Sequence, residues 1–381
     1  MHRPPHHPGF LAIWTLLLTV LLGGCAQVAY QHGASALTEK SLLFGRVVLD
    51  REGEKSVIST FSTPVVIRNI ETADEPGLVT QSFEKDGSFY WAMPPGRYQV
   101  SFVLTPYADG IPSFAFTLAK PGAAYYFGDM TFSGKKRFRT LGAANITDIE
   151  THLEDRLDQA KMYLLQKNPQ LQSAPVERLA LRNMADPRER TTVYGDALSA
   201  KKTCCQGLAQ LPYKRLAGAA SGSEKIGADS DVFDFPAGRS RFVAWELPRM
   251  PGPYTITLRS LVTPSGLFGG RFYIFSPAVM LLDDEFNVIS NQEQGVFKAV
   301  PASLIPPQSA SLQADIPISG QTAQAKYLIL YTTPSIIEGR WRTSMPGIMP
   351  IAGGVLPTGG ALPVTMEPAI SGIVEVKINP L

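Results

Sequence analysis

Charge, histidine and cysteine are all scarce in this chain, and each shortage removes a class of function. Lys, Arg, Asp and Glu make up 18% of the 381 residues, with a formal net charge of +2 and no basic block. Nucleic-acid affinity is built on clustered Lys and Arg, so no nucleic-acid partner is expected. Three cysteines, Cys25, Cys204 and Cys205, are too few for a disulfide-built scaffold. Of five histidines, His2, His6 and His7 precede an apolar run, and only His32 and His152 follow it. No G-x-S-x-G elbow, G-K-[ST] phosphate loop or H-E-x-x-H pair occurs. The expectation is a non-enzyme with no catalytic residue, no cofactor and no metal. Two carboxylates distant in sequence are the one hydrolytic arrangement that the residues leave open.

Also missing is an apolar run of the roughly 20 residues that a bilayer span needs. Phe10 to Leu22 is apolar apart from Thr15 and Thr19, the length of a signal-peptide core, and it ends on Gly23-Gly24-Cys25. Leu22-Gly23-Gly24-Cys25 resembles the bacterial lipobox. That resemblance implies cleavage after Gly24 and acylation of Cys25, with several acyl chains supplying a stable anchor. Ala26 after the cysteine, by the same resemblance, implies the outer membrane. Asn145-Ile146-Thr147 matches a glycosylation pattern that such a protein would not ordinarily use.

What the chain has in quantity is Gly (33), Pro (31) and apolar residues (44%). Spread along its length, they punctuate many short segments, as in all-β proteins. "LLFGRVVLD" and "TPVVIRNIE" read as strands. In "GSFYWAMPPGRYQVSFVL", Phe89 and Trp91 alternate into a Pro94-Pro95-Gly96 turn, and Tyr98, Val100 and Phe102 alternate out. The F-x-W-x-x-P-P-G-x-Y-x-V wording resembles transthyretin-like or carboxypeptidase-regulatory-like sandwiches. The resemblance implies a small β-sandwich serving as spacer or adaptor.

Between 145 and 168 the period changes. Thr147 to Glu150 reads as a capping box, and Ile149, Leu153, Leu157, Ala160 and Leu164 fall at helical spacing, predicting a helix. A polar stretch over 176–190 predicts a second short one. Strand patterns return after Thr203. In "SRFVAWELP", Val243, Trp245 and Leu247 alternate with Phe242, Ala244 and Glu246. From Thr343 to Met366 the chain has no charge, and its prolines and glycines predict a long irregular loop packed on its own domain or on a partner.

"CCQGLAQLPYKRL", "SRFVAWELP", "SPAVMLLDDEFNVI", "KYLILYTT" and "SGIVEVKI", in that order, resemble the maltose operon periplasmic protein family over residues 200–381. The resemblance implies an exported envelope accessory without established catalysis, linked to carbohydrate (maltose or maltodextrin) uptake. The amino-terminal sandwich and the lipobox depart from that family pattern.

Three groups remain as site candidates. Cys204 and Cys205 form either a vicinal disulfide, in an oxidising compartment, or two thiols on a strand facing opposite ways. Asp283-Asp284-Glu285 reads as a hairpin turn rather than a cation site. Arg340, Trp341 and Arg342 form a candidate ligand or partner surface, weighed against a tryptophan packed inward between two solvated arginines.

The expected architecture is mainly β: two β-sandwich-type domains joined by an α-helical connector behind a cleaved lipoprotein signal peptide. Its boundaries run 1–24 for the signal peptide, 25–40 for a tether, 41–141 for the first sandwich, 142–199 for the connector and 200–381 for the second β domain. The expected partners are the membrane, through the lipid anchor, and an envelope protein or an oligosaccharide. The expected place is the periplasmic side of the outer membrane. Two functions stay in play, an accessory or binding module and a structural lipoprotein that holds a partner complex at that membrane.

Overall fold

The computed structural model describes residues 37–57, 65–72, 78–79, 83–104, 111–138, 144–216, 221–264, 272–293, 295–304, 307–351 and 354–380. The signal peptide, Cys25 and His32 lie outside these residues. The fold is mainly β, with several sheets and few helices.

The first sandwich is built around strand Ser41–Arg51. It runs parallel to Ala124–Phe138 and antiparallel to Ser88–Met93 and Glu54–Val57. A second sheet orders Arg182–Asn183, Ser113–Leu118, Gly96–Phe102, Val65–Asn69 and Leu78–Val79. Side chains of a strand alternate between faces, and the expected inward set is the observed one. Phe89 and Trp91 stack with ring centroids 4.0 Å apart, and Tyr98, Val100 and Phe102 meet them from the facing sheet. The Pro94-Pro95-Gly96 turn does not close a hairpin; it carries the chain from one sheet to the other.

The helix predicted over 145–168 forms only in its second half. Ala144–Glu154 is a strand, antiparallel to Ala124–Phe138 from Asp129↔Glu154 to Phe138↔Ala144. Helix α1 spans Leu157–Lys167. The residues that read at helical spacing also read at period two, with Thr147, Ile149, Thr151 and Leu153 alternating against Asp148, Glu150, His152 and Glu154. An unpaired edge of the Ala124–Phe138 strand decides between the two readings by offering a full ladder of backbone partners. Asp148, at φ 54, lies in the left-handed region, which the first turn of a helix excludes. Within α1 the expected face holds: Leu157, Ala160 and Leu164 pack on Leu42, Phe44, Ala124 and Tyr126 from the sheet's outer side.

The 176–190 stretch likewise differs from expectation. It contributes strands Val176–Arg178 and Arg182–Asn183, one to each sheet. Helix α2 follows at Pro187–Ser199, with Pro187 in its first turn and the Asp186 carboxylate accepting from Arg188 N–H.

The second sandwich faces a sheet ordered Lys214–Arg215, Gly238–Glu246, Tyr327–Tyr331, Ala278–Leu282 and Val288–Gln292 against one centred on Tyr254–Pro264 and Gly372–Pro380. Val243, Trp245 and Leu247 point into the core between them, as their alternation requires. Phe242 and Ala244 point to the opposite face. A short helix α3, Pro334–Glu338, follows the Tyr327–Tyr331 strand.

The uncharged stretch after Trp341 is also strand rather than irregular loop. Trp341–Ile351 and Gly354–Ala369 pair antiparallel, with Met345↔Leu362 and Ile348↔Pro357 in register. Its prolines are compatible with strand because the hairpin lies at a sheet flank. Among the described residues, Phe272–Phe275 pairs with the returning strand at Met366–Ala369 and no strand ladder fills the other edge of either proline-bearing segment.

A β-bulge sits where Ser41–Arg51 meets Ala124–Phe138. The register passes from Phe44↔Tyr126 to Arg46↔Asp129, and Gly128 adopts φ 111. Gly128→Ala is expected to cost about 1–3 kcal/mol for holding an L side chain there. Gly207→Ala, in open space with an extended backbone, should stay within about 0.5 kcal/mol of the parent. Denaturant midpoints of the two variants measure the difference.

Candidate functional site

The cysteine pair opens a flap over the outer face of the Gly238–Glu246 sheet. The structure joins Cys204 and Cys205 as a vicinal disulfide with α-carbons 3.8 Å apart. Cys204 N–H donates to Val232 O, and Cys205 Sγ lies 3.3 Å from Gln210 O. Beyond it Leu211 is buried, and the Tyr213 ring lies 4.4 Å from that of Tyr327, which stacks on Phe286 at 4.6 Å. Burial pushes the Tyr213 phenol well above its ordinary range.

Asp283 forms the expected turn: its Oδ1 accepts from the backbone N–H of Glu285 and of Asn287, and Phe286 takes φ 65. Among the described residues no group of three or more His, Cys, Asp and Glu side chains is arranged to hold a metal ion. Among them, too, no helix is long and apolar enough to cross a membrane.

Arg340, Trp341 and Arg342 are not brought together as a platform. Trp341 packs against the second core and its Nε1–H donates to Ser276 Oγ at 2.9 Å. Arg340 Nη2 donates to Ala185 O at 3.2 Å, across to the segment before α2, while Arg342 is exposed.

That Arg340 contact belongs to a larger construction, a polar seam between the two sandwiches. Arg190 on α2 is fully buried. Its Nε donates to Ile337 O, its Nη2 to Glu338 O and Gly339 O, and its Nη1 to Met184 O, at 3.0–3.3 Å. A cation is thus held on the carbonyl end of α3, where the last backbone acceptors lack partners. Arg241, 1% exposed, reaches across to Glu71, with Nη2 on Oε1 at 3.0 Å and Nη1 on the backbone O at 3.3 Å. Burial lowers the Arg241 pKa, and the Glu71 carboxylate opposes that loss. Arg68 donates to Tyr194 OH at 3.1 Å and to Gln99 Oε1, and its guanidinium lies 3.5 Å from the centre of the Tyr273 ring. Ile70, Ala115, Met184, Val193, Tyr194, Val232, Ile337 and Ile370 fill the apolar part.

None of these arginines stands out in the sequence as a site residue. The signal was an arginine inside an otherwise apolar strand, as in "VVIRN" and "SRFVAWE". Such a charge must meet a partner when the strand is covered on both faces.

Fold and seam together define a mainly β protein of two sandwiches fastened face to face. The family model described as maltose operon periplasmic protein precursor (MalM) matches residues 237–346, the family read from the sequence over a longer stretch. The match begins at the turn into Gly238–Glu246 and ends within Trp341–Ile351. It therefore leaves the first sandwich, the cysteine flap and the last strand outside. No curated protein matches the chain. Among solved structures, a DUF3823 family protein from Parabacteroides merdae is similar at 11% identity, over 86% of this chain and 98% of that one, with a TM-score of 0.15 that carries no argument.

Arg190→Ala leaves several buried carbonyls without donors and is expected to cost about 3–5 kcal/mol. Each sandwich retains its own core. Calorimetry should therefore show the parent unfolding in one transition and Arg190→Ala in two. Arg190→Lys should not restore the single transition, since an ammonium cannot span the same carbonyls.

Proposed function

We propose that the protein is a non-catalytic, periplasm-facing lipoprotein of the bacterial envelope, an accessory or binding module linked to carbohydrate uptake. The single observation that carries this reading is the seam. Arg190 and Arg241 through hydrogen bonds and Arg68 through the ring of Tyr273, deeply buried cations of the kind that often mark reactive centres, are all engaged in fastening one sandwich to the other. The match of residues 237–346 to a maltose operon periplasmic family supports the compartment and the carbohydrate link. The vicinal disulfide supports the compartment too, because joined cysteines persist where the surroundings are oxidising. In this reading the chain is cleaved after Gly24 and held at the outer membrane by acyl groups on Cys25.

The assembly reading, in which the protein holds a partner complex at the membrane, draws on one feature. The hairpin of Trp341–Ile351 and Gly354–Ala369 carries no charge from Thr343 to Met366 and runs on beyond the Phe272–Phe275 strand that joins it at Met366–Ala369.

Fractionation of cells tests the anchor. The parent should pellet with outer membranes and Cys25→Ser should appear in the soluble periplasmic fraction. A parent that is itself soluble overturns the lipoprotein reading. Recovery of a stoichiometric protein partner from detergent-solubilised envelopes would favour assembly over ligand binding.

A further inference from the structure

The first sandwich carries a cleft on the side away from the seam, between its outer sheet face and α1. It encloses about 230 Å³ and is walled by Arg46, Asp86, Tyr90, Asp129, Arg156 and Tyr163. Ligand sites run from about 300 Å³ upward, so this volume suits something near the small end, on the scale of one ring.

The cleft owes its chemistry to the bulge. Along Ala124–Phe138, Phe127, Met130 and Phe132 point into the core. Without an extra residue, strict alternation would set Tyr126 and Asp129 on opposite faces. The bulge at Phe127-Gly128 resets the alternation and brings both to the outer face, where Tyr126 OH donates to Asp129 Oδ1 at 2.8 Å. Bulges commonly re-aim a side chain in this manner next to a functional site. Gly128 at φ 111, together with Gly45 lining the floor, marks the close backbone approach that makes the recess.

Arg156 pairs with Glu154, and the other charged groups are held but not used up. Arg46 Nε donates to Asp86 O at 2.8 Å, leaving its two terminal amino groups for another acceptor. The Tyr126 hydroxyl occupies one oxygen of Asp129, leaving the other. Asp86 accepts from Ser88 N–H and Oγ, which hold its carboxyl below the usual range against the opposing effect of burial. Tyr90 is pushed up to about 12 by burial and the nearby carboxylates, so its phenol remains protonated. Tyr163, 52% exposed, stands at the mouth on α1.

Two arginines and two aspartates line the cleft, and Arg156 is also paired with Glu154 beside it, so the cleft has no excess of positive charge with which to select an anion. It offers instead paired donors and acceptors beside tyrosine rings. Adjacent hydroxyls on a ring, each both donor and acceptor, match that arrangement, and the apolar face of the same ring can lie on an aromatic side chain.

We infer that this cleft of the first sandwich binds a neutral polyhydroxylated ligand, one sugar unit of a saccharide. The inference rests on the binding-module reading above and gives it a location outside the family-matched residues.

Titration calorimetry of the full chain with D-glucose, maltose, maltotriose and N-acetylglucosamine, with citrate as an anionic control, tests it. At least one sugar should bind and citrate should not. Asp129→Asn and Tyr163→Ala should each weaken that binding about ten-fold or more, the loss expected for a charge-assisted hydrogen bond or a stacking face. Gln159→Ala, on the exposed helix surface lining the same cleft, should weaken it without disturbing the fold, and thermal midpoints report on folding in all three. Arg342→Ala, on the second sandwich, should leave it unchanged. Binding that survives the cleft variants, or that is lost in Arg342→Ala, overturns the cleft and keeps the binding-module reading. Citrate binding in place of sugar overturns the ligand class. Heat from none of the four sugars overturns the cleft and the carbohydrate reading together, and leaves the lipid anchor to stand or fall by fractionation.

Discussion

A buried guanidinium has to be surrounded by acceptors, and in this protein Arg190 and Arg241 find most of theirs in the other half of the chain. Arg190 satisfies its donors on the carbonyls that end α3. Arg241 sets its two terminal amino groups on Glu71, and Arg68 donates to Tyr194 beside the ring of Tyr273. Pull the sandwiches apart and three cations lose partners that water must replace. Close them by a slightly different angle and the planar forks no longer match their acceptors. The seam thus fixes orientation as well as attachment, which apolar contacts alone would do less stringently.

The same constraint explains why the second sheet of the first sandwich is polar on its outer face. Gln99, Ser101 and Ser113 are buried there and hydrogen-bond one another, with Ser101 Oγ 3.4 Å from Tyr273 OH. A free-standing spacer would keep such a face for solvent. Here it is covered, and its hydroxyls and amide link to a network that includes Arg68. Interiors of this kind are stable when every member is satisfied and costly when one is removed.

The two inner cores were legible from the sequence because period-two alternation reports which face of a strand is buried. Trp91 and Trp245 both lie where alternation puts them. The helix over 145–168 was not legible in full, because "TDIETHLE" fits both periods and a neighbouring strand edge made the choice. The Thr343 to Met366 hairpin was misread because proline forbids a central strand but not a flank. The seam was not legible for a different reason: the sequence shows an arginine inside an apolar strand, but its partner lies up to 170 residues away. The cleft needed the bulge, which a sequence shows only as one more glycine.

The layers also settle an order through the molecule. Alternation gives the first sandwich one outer face packed under α1 and the other packed into the seam, so the cleft and the second sandwich lie on opposite sides. Leu37, the first residue described, packs with Leu164 and Leu171 on the α1 side. The cleft therefore lies on the face of the first sandwich remote from residues 237–346. In such an arrangement the family-matched sandwich need not carry the ligand. It is held at a fixed angle to the cleft by Arg190 and Arg241.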